Sequence, residues 1–174
     1  LRHPQKYPQP PIKKEFISGE SLLYIGRNYQ LEITENDFPG VRFHSKFYIS
    51  HQHKLDAAEL IKFWYINRAK EKLPQRIQEF ADNLGVEYKK ILVTDLKYSW
   101  ASCTLKKNLN FNWRIIKAPI HVIDYLIVHE LAHLIEQNHG PEFWNIVAVQ
   151  IPNFDRAKNW LKHNGHKLEI DFSQ

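Results

Sequence analysis

Apolar and polar residues alternate along the first third of the chain in a way that predicts short β-strands. The runs Leu22-Leu23-Tyr24-Ile25 and Tyr29-Gln30-Leu31-Glu32-Ile33 flank Gly26-Arg27-Asn28, and two such runs around a glycine-containing turn are typical of a β-hairpin. Apolar residues alternate again over residues 41–49. That pattern predicts one further strand, or two short strands around Lys46.

From Leu55 to Leu84 the apolar residues instead recur every three or four positions, which predicts helix. Pro74 lies inside this stretch and is expected either to begin a second helix or to kink a continuous one. Gly85 follows the last apolar residue and is expected to end the helical region.

Two strands and a long helix are predicted in the second half of the chain. Ile91-Leu92-Val93 forms a short apolar run, and the residues from Leu109 to Ile115 alternate strictly between apolar and polar. The latter pattern predicts a strand with one apolar face. Ala118-Pro119 is expected to open a long helix that runs to about Gln137, because proline is favoured in the first turn of a helix.

Two shorter helices are predicted after Pro141 and Pro152, the second ending at Asn164-Gly165. The N-terminal residues contain Pro4, Pro8, Pro10 and Pro11, and prolines fix φ and remove backbone donors. We therefore expect a proline-rich extended arm over residues 1–16 and a single folded domain over residues 17–174.

Composition supports one α+β domain with a substantial core. The chain has 174 residues, of which 43% are hydrophobic, with five Trp, eight Tyr and ten Phe, and this excludes a disordered segment. Cys103 is the only cysteine, which excludes an intrachain disulfide and any paired-cysteine zinc site. Any bound metal must therefore be held by histidines, of which there are ten, or by carboxylates.

No apolar run reaches the length of a membrane-spanning helix, and Leu1-Arg2-His3-Pro4 lacks the apolar stretch of a secretory signal. We expect a cytoplasmic protein with no membrane partner. The formal net charge of +5 gives only weak support for a nucleic-acid partner.

The clearest chemical motif is His129-Glu130-Leu131-Ala132-His133 in the predicted long helix. A spacing of four residues places both imidazoles on one helical face, where they can share a metal ion. Glu130 can then reach a water bound to that metal and act as a general base.

His139 follows six residues after His133 and is a candidate third ligand. Three histidines with one open position are typical of a catalytic zinc site, so we expect Zn²⁺ held by His129, His133 and His139. Glu136 is the rival third ligand. Phe143 and Trp144 are expected to pack the following helix against the core and so orient His139.

The chain resembles the YgjP-like metallopeptidase family, a group of minimal zincin-like hydrolases related to the SprT-like proteases. The resemblance is strongest from Tyr98 to Trp160. It rests on these segments: Ser99-Trp100-Ala101-Ser102-Cys103, Leu109-Asn110-Phe111-Asn112-Trp113, Ala118-Pro119, Val122-Ile123-Asp124-Tyr125, His129-Glu130-Leu131-Ala132-His133 and Asn138-His139-Gly140-Pro141-Glu142-Phe143-Trp144. It implies an α+β zincin-like fold, with an N-terminal β-hairpin and a small sheet packed on helices that include the His-Glu-x-x-His helix.

The resemblance also implies that His129, His133 and His139 are the zinc ligands and that Glu130 is the catalytic base. Four further residues are candidates for supporting the ligands or contacting substrate, namely Asp124, Tyr125, Asn138 and Arg114. The family usually carries Arg-Trp-Gly-Ser-Cys where this chain has Ser99-Trp100-Ala101-Ser102-Cys103. The missing arginine removes a possible substrate contact, so the resemblance carries over the metal site but not the substrate preference of the family.

Three functions fit this site. The first is peptide hydrolysis, in which an extended substrate would lie along the strand from Leu109 to Ile115 if that strand is at a sheet edge. The second, which the resemblance also suggests, is a nucleoside triphosphate pyrophosphatase of the UTP type, with Lys106, Lys107, Arg114 or Lys117 holding phosphate. The third is a non-catalytic, zinc-stabilised binding module.

Overall fold

The computed structural model describes residues 4, 6 and 10–171 of the chain. They form four α-helices, α1 (Ala57–Leu84), α2 (Ile120–Ala132), α3 (Pro141–Gln150) and α4 (Phe154–Asn164). The strands are β1 (Ile12–Lys13), β2 (Ser21–Tyr24), β3 (Arg27–Thr34), β4 (Val41–His44), β5 (Lys46–Ser50), β6 (Lys90–Thr94), β7 (Ala101–Cys103), β8 (Asn108–Asn112) and β9 (Ile170–Asp171). The predicted α+β fold, with small sheets packed on helices, is confirmed.

The N-terminal part forms a four-stranded sheet in the order β2-β3-β5-β4. Strands β2 and β3 make the predicted hairpin, and residues 41–49 form two strands that turn at Ser45, which has a φ of 62°. The rings of Tyr24, Phe43, Phe47 and Trp64 contact one another at centroid distances of 4.8 to 5.4 Å. This aromatic cluster packs the sheet against α1.

The turn of the hairpin is attached to the segment that leads into α2. The backbone N–H groups of Ile25 and Gly26 donate to the carbonyls of Ile116 and Lys117 at 3.0 and 2.8 Å. Gly26 has a φ of 75°, and a Cβ at this position would lie 2.9 Å from the Cα of Pro119. The hairpin therefore fixes the start of α2 through a contact that only glycine fits.

We expect Gly26→Ala to lower the free energy of unfolding by about 3 kcal/mol, because the new methyl group adds a backbone clash to an unfavourable φ. Gly19 is a matched control, since it also has a positive φ, 89°, but no described atom lies within 4 Å of its Cβ position. Gly19→Ala should cost about 1 kcal/mol, from the backbone alone. Urea denaturation of both variants measures the difference, and equal losses would show that the contact with Pro119 does not matter.

Helix α1 is continuous through Pro74, so this proline does not begin a second helix. The buried residues Leu73, Ile77 and Ala81 lie on one face on both sides of the proline, and this packing stabilises the helix where a backbone donor is missing. Gly85 ends the helix with a φ of 66°, as predicted.

The second sheet has three strands in the order β6-β8-β7. Strand β8 pairs in parallel with β6 and antiparallel with β7, so the 109–115 strand is not at a sheet edge and the condition for binding a substrate along it is not met. The strand is also shorter than predicted. The Asn112 side chain accepts a hydrogen bond from the Arg114 N–H at 3.0 Å, and residues 113–117 form a 3₁₀ helix. The apolar alternation continues into this helix because Trp113 and Ile115 are buried there too.

Helix α2 ends at Ala132, so the predicted end near Gln137 is wrong. The N–H groups of Leu134 and Ile135 donate to carbonyls three residues earlier, at 3.0 Å each. Such bonds tighten the chain into a turn, and the turn brings the segment containing His139 back toward the helix. Helices α3 and α4 follow Pro141 and Pro152 as predicted.

The two ends of the described chain lie together, since β1 and β9 pair in parallel. Lys117 is fully buried near this point, where its Nζ donates to the Leu168 carbonyl at 2.7 Å and lies over the rings of Tyr65 and Trp113. Burial holds the pKa of Lys117 well below its usual value. The division of the chain into an arm over residues 1–16 and a domain over residues 17–174 stays a prediction. None of the helices in the described part of the chain has the length and apolar character needed to cross a membrane.

Candidate metal centre

Three imidazoles meet at the C-terminal end of α2. His129 and His133 lie one helical turn apart, and His139 lies in the segment between the turn and α3. One ring nitrogen from each residue lies within 4.8 Å of the others, and the Nε2 atoms of His133 and His139 are 3.0 Å apart. The structure thus brings together the three histidines that the sequence singles out.

Aromatic side chains from α3 pack around these imidazoles. The ring of Phe143 is fully buried and lies 5.0, 4.6 and 4.7 Å from the rings of His129, His133 and His139. Trp144 stacks on His139 with an interplanar angle of 27°. The expected role of these two residues, orienting His139, is consistent with these contacts.

Glu130 is fully buried beside the histidines. Its Oε1 lies 3.2 Å from the Nδ1 of His129. A carboxylate that accepts a hydrogen bond from one imidazole nitrogen leaves the other nitrogen to face a metal. The same hydrogen bond increases the basicity of the ring. The backbone carbonyl of Glu136 lies 3.3 Å from the Nδ1 of His133 and can accept a hydrogen bond from it in the same way.

The electrostatic environment keeps His133 neutral. Burial, together with the neighbouring imidazoles of His129 and His139, lowers the pKa of His133 to about 4. Neutral imidazole is the form that binds metals, so this ligand is ready to bind at neutral pH.

These residues fit a divalent metal ion. Two nitrogen ligands at about 2.0–2.1 Å from a tetrahedral zinc lie about 3.3 Å apart, which is close to the 3.0 Å between His133 and His139. His129 and His133 are 3% and 6% exposed, so the site has little competing water. Three neutral nitrogen donors leave one position of a tetrahedral ion for water or substrate.

The rival ligand Glu136 does not belong to the group of side chains that can hold a metal. Its carboxylate accepts from the backbone N–H of Asn138 at 3.3 Å, and this bond stabilises the turn before His139. Asn138 itself is exposed. Both residues therefore shape the turn that presents the third imidazole.

The other candidate residues lie at different distances from the histidines. The ring of Tyr125 is buried and lies 5.8 Å from the ring of His129. Asp124 is one position earlier and makes a two-bond ion pair with Arg76 of α1, with one contact at 2.8 Å. Tyr125 thus contacts a ligand directly, whereas Asp124 connects α2 to α1.

Two of the four basic residues suggested for phosphate binding contact other parts of the fold. Arg114 pairs with Asp95 and, at 3.1 Å, with Glu169. Lys117 is buried against Leu168. Of the four, Lys107 is placed near the histidines, because it lines a cavity that also includes His133.

That cavity has a volume of about 70 Å³ and lies beside His133. It is bounded on one side by the β7–β8 turn and on the other by the residues after α2, and it is lined by Cys103, Thr104, Leu105, Lys107, His133, Leu134 and Gln137. Sequence reasoning missed it because the cavity forms only where the β7–β8 turn packs beside the residues after α2, and no pattern in the sequence indicates that contact. The strand β7 that leads to it has only three residues, without apolar alternation.

Cys103 lies at the end of β7 close to Glu130. Burial, and to a smaller extent the Glu130 carboxylate, raise the pKa of the Cys103 thiol to about 11. The thiol is therefore protonated at neutral pH and is a poor nucleophile.

We expect the rate at which iodoacetamide alkylates Cys103 to rise about tenfold per pH unit from pH 7 to 10, because only the thiolate reacts. An ordinary thiol with a pKa near 8.5 would level off above about pH 9. The rate is measured by mass spectrometry, with free cysteine as the reference. A plateau at pH 9 would contradict the raised pKa of the half-buried Cys103 thiol.

A family model matches most of this chain. The family model described as YgjP-like, metallopeptidase domain, matches residues 1–164, which confirms the resemblance predicted from the sequence. The zymogen of abylysin from Pyrococcus abyssi is 22% identical with a TM-score of 0.45, over 52% of this chain and 95% of that one. The zymogen of jannalysin from Methanocaldococcus jannaschii is 23% identical with a TM-score of 0.49, over 53% and 95%. Both are metallopeptidases, and no curated protein matches.

Proposed function

The chain belongs to the YgjP-like metallopeptidase family, and we propose on this premise that it is a zinc-dependent peptidase with Glu130 as its general base. The observation that carries the proposal is the arrangement of three imidazoles around one point with a fully buried carboxylate beside them. A structural zinc site needs four protein ligands. Three ligands and a buried base are instead the minimum for hydrolysis.

His129, His133 and His139 would hold the ion. When bound, zinc supplies Lewis acidity, which polarises the peptide carbonyl and makes water more acidic. The remaining chemistry is assigned to this chain's own residues. Their arrangement supports a reaction in which Glu130 transfers one proton from the attacking water to the amide nitrogen.

Glu130 is proposed to take a proton from the attacking water as the new C–O bond forms at the peptide carbonyl. It then delivers that proton to the amide nitrogen as the C–N bond breaks, which gives an amine and a carboxylic acid, and the remaining proton of the acid passes to the amine or to solvent. A carboxylate beside the reacting groups is suited to both steps, because the same group can accept the proton and then return it. Tyr125 and the Glu136 carbonyl keep the imidazoles in position.

The outer edge of β7 is the proposed binding site for an extended peptide. The backbone N–H of Asn112 donates to the Trp100 carbonyl, and the backbone N–H of Thr104 donates to the Asn108 carbonyl. The backbone groups of even-numbered residues in and beside β7 therefore face β8. In an antiparallel ladder the alternate residues face away. The backbone groups of Ala101 and Cys103 therefore point outward, where a peptide can pair with them.

The cavity beside His133 is proposed to take a substrate side chain next to the cleaved bond. A volume of about 70 Å³ suits a short side chain. The exposed Lys107 at its border favours a polar or acidic one.

An assay with two substrate classes tests the proposal. The purified, zinc-loaded protein is incubated with a peptide library and with a panel of nucleoside triphosphates, and the Glu130→Gln variant is the blank. Peptide cleavage that disappears in the variant is the expected result. Phosphate or pyrophosphate release without peptide cleavage would replace the proposal with the nucleotide function, and no turnover of either class would favour the binding module.

A further inference from the structure

The three candidate ligands differ in how their own segments constrain them. His129 lies in α2, and His133 follows the last residue of that helix with a helical backbone, at a φ of −66°. Both are buried. His139 lies outside any helix, in the segment before α3, and is only half-buried. The orientation of the His139 ring therefore depends more than that of the other two on the side chains that pack against it.

Trp144 of α3 connects His139 to α4. Its ring stacks on that of His139 with an interplanar angle of 27°, and on that of Phe154 at a centroid distance of 5.1 Å and an angle of 19°. The Nζ of Lys158, one turn further along α4, lies 4.5 Å from the centroid of a Trp144 ring. Stacked rings and cation–π contacts both have preferred geometries. Two residues of α4 therefore hold the ring that packs against a candidate metal ligand.

Helix α4 is attached to the fold independently of the histidines. Ala157 and Leu161 are buried in the hydrophobic core. At the start of the helix the Phe154 N–H donates to the Ile151 carbonyl at 3.1 Å. The position of Phe154 is thus set by the core and by this turn, so its ring can act as a support for Trp144.

We propose that Phe154 is a positioning residue for the metal site, which acts through Trp144 to hold His139 in the orientation that binds the ion. This inference rests on the proposed function, in which His139 is a metal ligand. It extends the support of that ligand beyond α3 to a helix that contributes no ligand itself. Coupling between two binding equilibria or conformations is reciprocal. If α4 favours metal binding, metal binding must in turn stabilise α4.

Two substitutions at residue 154 separate ring stacking from general packing. Phe154→Leu keeps an apolar side chain but removes the ring, whereas Phe154→Tyr keeps the ring. Competition with a chromophoric chelator measures the affinity for zinc. We expect it to fall about tenfold or more in Phe154→Leu, as for other residues that orient a metal ligand. In Phe154→Tyr it should stay within about threefold of the wild type, because the stacking is retained.

Trp160→Leu is the matched control. Trp160 is also a half-buried aromatic residue of α4 that packs against the core. Urea denaturation of the metal-free proteins measures how much stability each variant loses. Trp160→Leu should be destabilised too, but it should keep its zinc affinity within about twofold, because its ring does not orient a ligand.

Amide hydrogen exchange tests the reciprocal effect, and in the wild type it needs no substitution. The N–H groups of residues 158–161 donate to carbonyls within α4. Saturating zinc should slow their exchange by at least about threefold in the wild type, because opening of α4 releases the support of His139. In Phe154→Leu the same comparison should give a change of less than about 1.5-fold.

A zinc affinity in Phe154→Leu within twofold of the wild type would overturn the inference. So would equal losses of affinity in Phe154→Leu and Phe154→Tyr, or in Phe154→Leu and Trp160→Leu, and so would exchange in wild-type α4 that zinc does not change. Failure of the assignment of His139 has a different signature, because His139→Ala would then bind zinc as tightly as the wild type. Failure of the peptidase function would leave these affinities unchanged, while no peptide would be cleaved faster by the wild type than by Glu130→Gln.

Discussion

Replacing Glu130 with glutamine is expected to lower peptide hydrolysis by about 10²–10⁴-fold, the usual contribution of a general base, without loss of bound zinc. Glutamine has nearly the same shape as glutamate, so the packing around this fully buried side chain is preserved. The amide cannot accept a proton from water at neutral pH, and the proton shuttle is lost. Zinc content by atomic absorption and kcat/KM for one peptide measure the two effects separately.

Glu142→Gln is the control for this change. Glu142 is an exposed residue in the first turn of α3, three residues after His139, so the variant makes the same loss of charge near the site. It should keep activity within about twofold, as surface substitutions usually have small effects. If Glu130→Gln retains full activity, or if it loses zinc, the role assigned to Glu130 is wrong.

Replacing His139 with alanine is expected to weaken zinc binding by at least about 100-fold and to abolish hydrolysis. Loss of a residue that only supports a ligand already costs 10–100-fold in affinity, and His139 is placed to bind the ion itself, 3.0 Å from His133. Competition with a chromophoric chelator measures the affinity. Chemical denaturation checks that the variant is folded.

Glu136→Ala is the matched control for His139→Ala. It removes the carboxylate that was the rival ligand and leaves the carbonyl that contacts His133. Its only described side-chain bond is to the Asn138 N–H, so we expect a change in zinc affinity of less than about tenfold. A larger loss in Glu136→Ala than in His139→Ala would reverse the assignment of the third ligand.

Much of the candidate site was predictable from the sequence because the residues that form it are close together in the chain. The four-residue spacing of His129 and His133 fixes their common face on any helix, and the position of His139 limits where a third ligand can come from. The hairpin was predictable for the same reason, since Gly26 and the apolar runs beside it are neighbours in the chain.

The features that the sequence did not predict depend on contacts between residues that are distant in the chain. The 109–115 pattern shows an apolar face but cannot show which strands flank it, and β6 and β7 cover both sides of β8. The sequence pattern does not indicate the end of α2, because Glu136 and Gln137 are good helix formers. In the structure the chain turns after Ala132. Strand β7 was missed because pairing with β8, rather than its own composition, makes it a strand.

The arm shows how much a compositional pattern leaves open. Its prolines predict an extended conformation, and extension is what allows Pro4 to accept from Trp100. Nothing in the spacing of the prolines indicates which residues the arm contacts. Its position depends on contacts such as the ion pair of Lys6 with Glu169, at 2.7 Å, which joins residues from opposite ends of the chain.

The three imidazoles all come from the short stretch 129–139, and this has a thermodynamic consequence for the metal. Closing a loop of about ten residues costs little entropy, so the same three ligands can reach an ion in the unfolded chain. Affinity for the unfolded state subtracts from the stabilisation that a ligand gives the native state. A metal ion at this site is therefore expected to raise the unfolding temperature by less than its affinity for the native protein implies, and a nascent chain is expected to acquire the ion before the rest of the fold has formed.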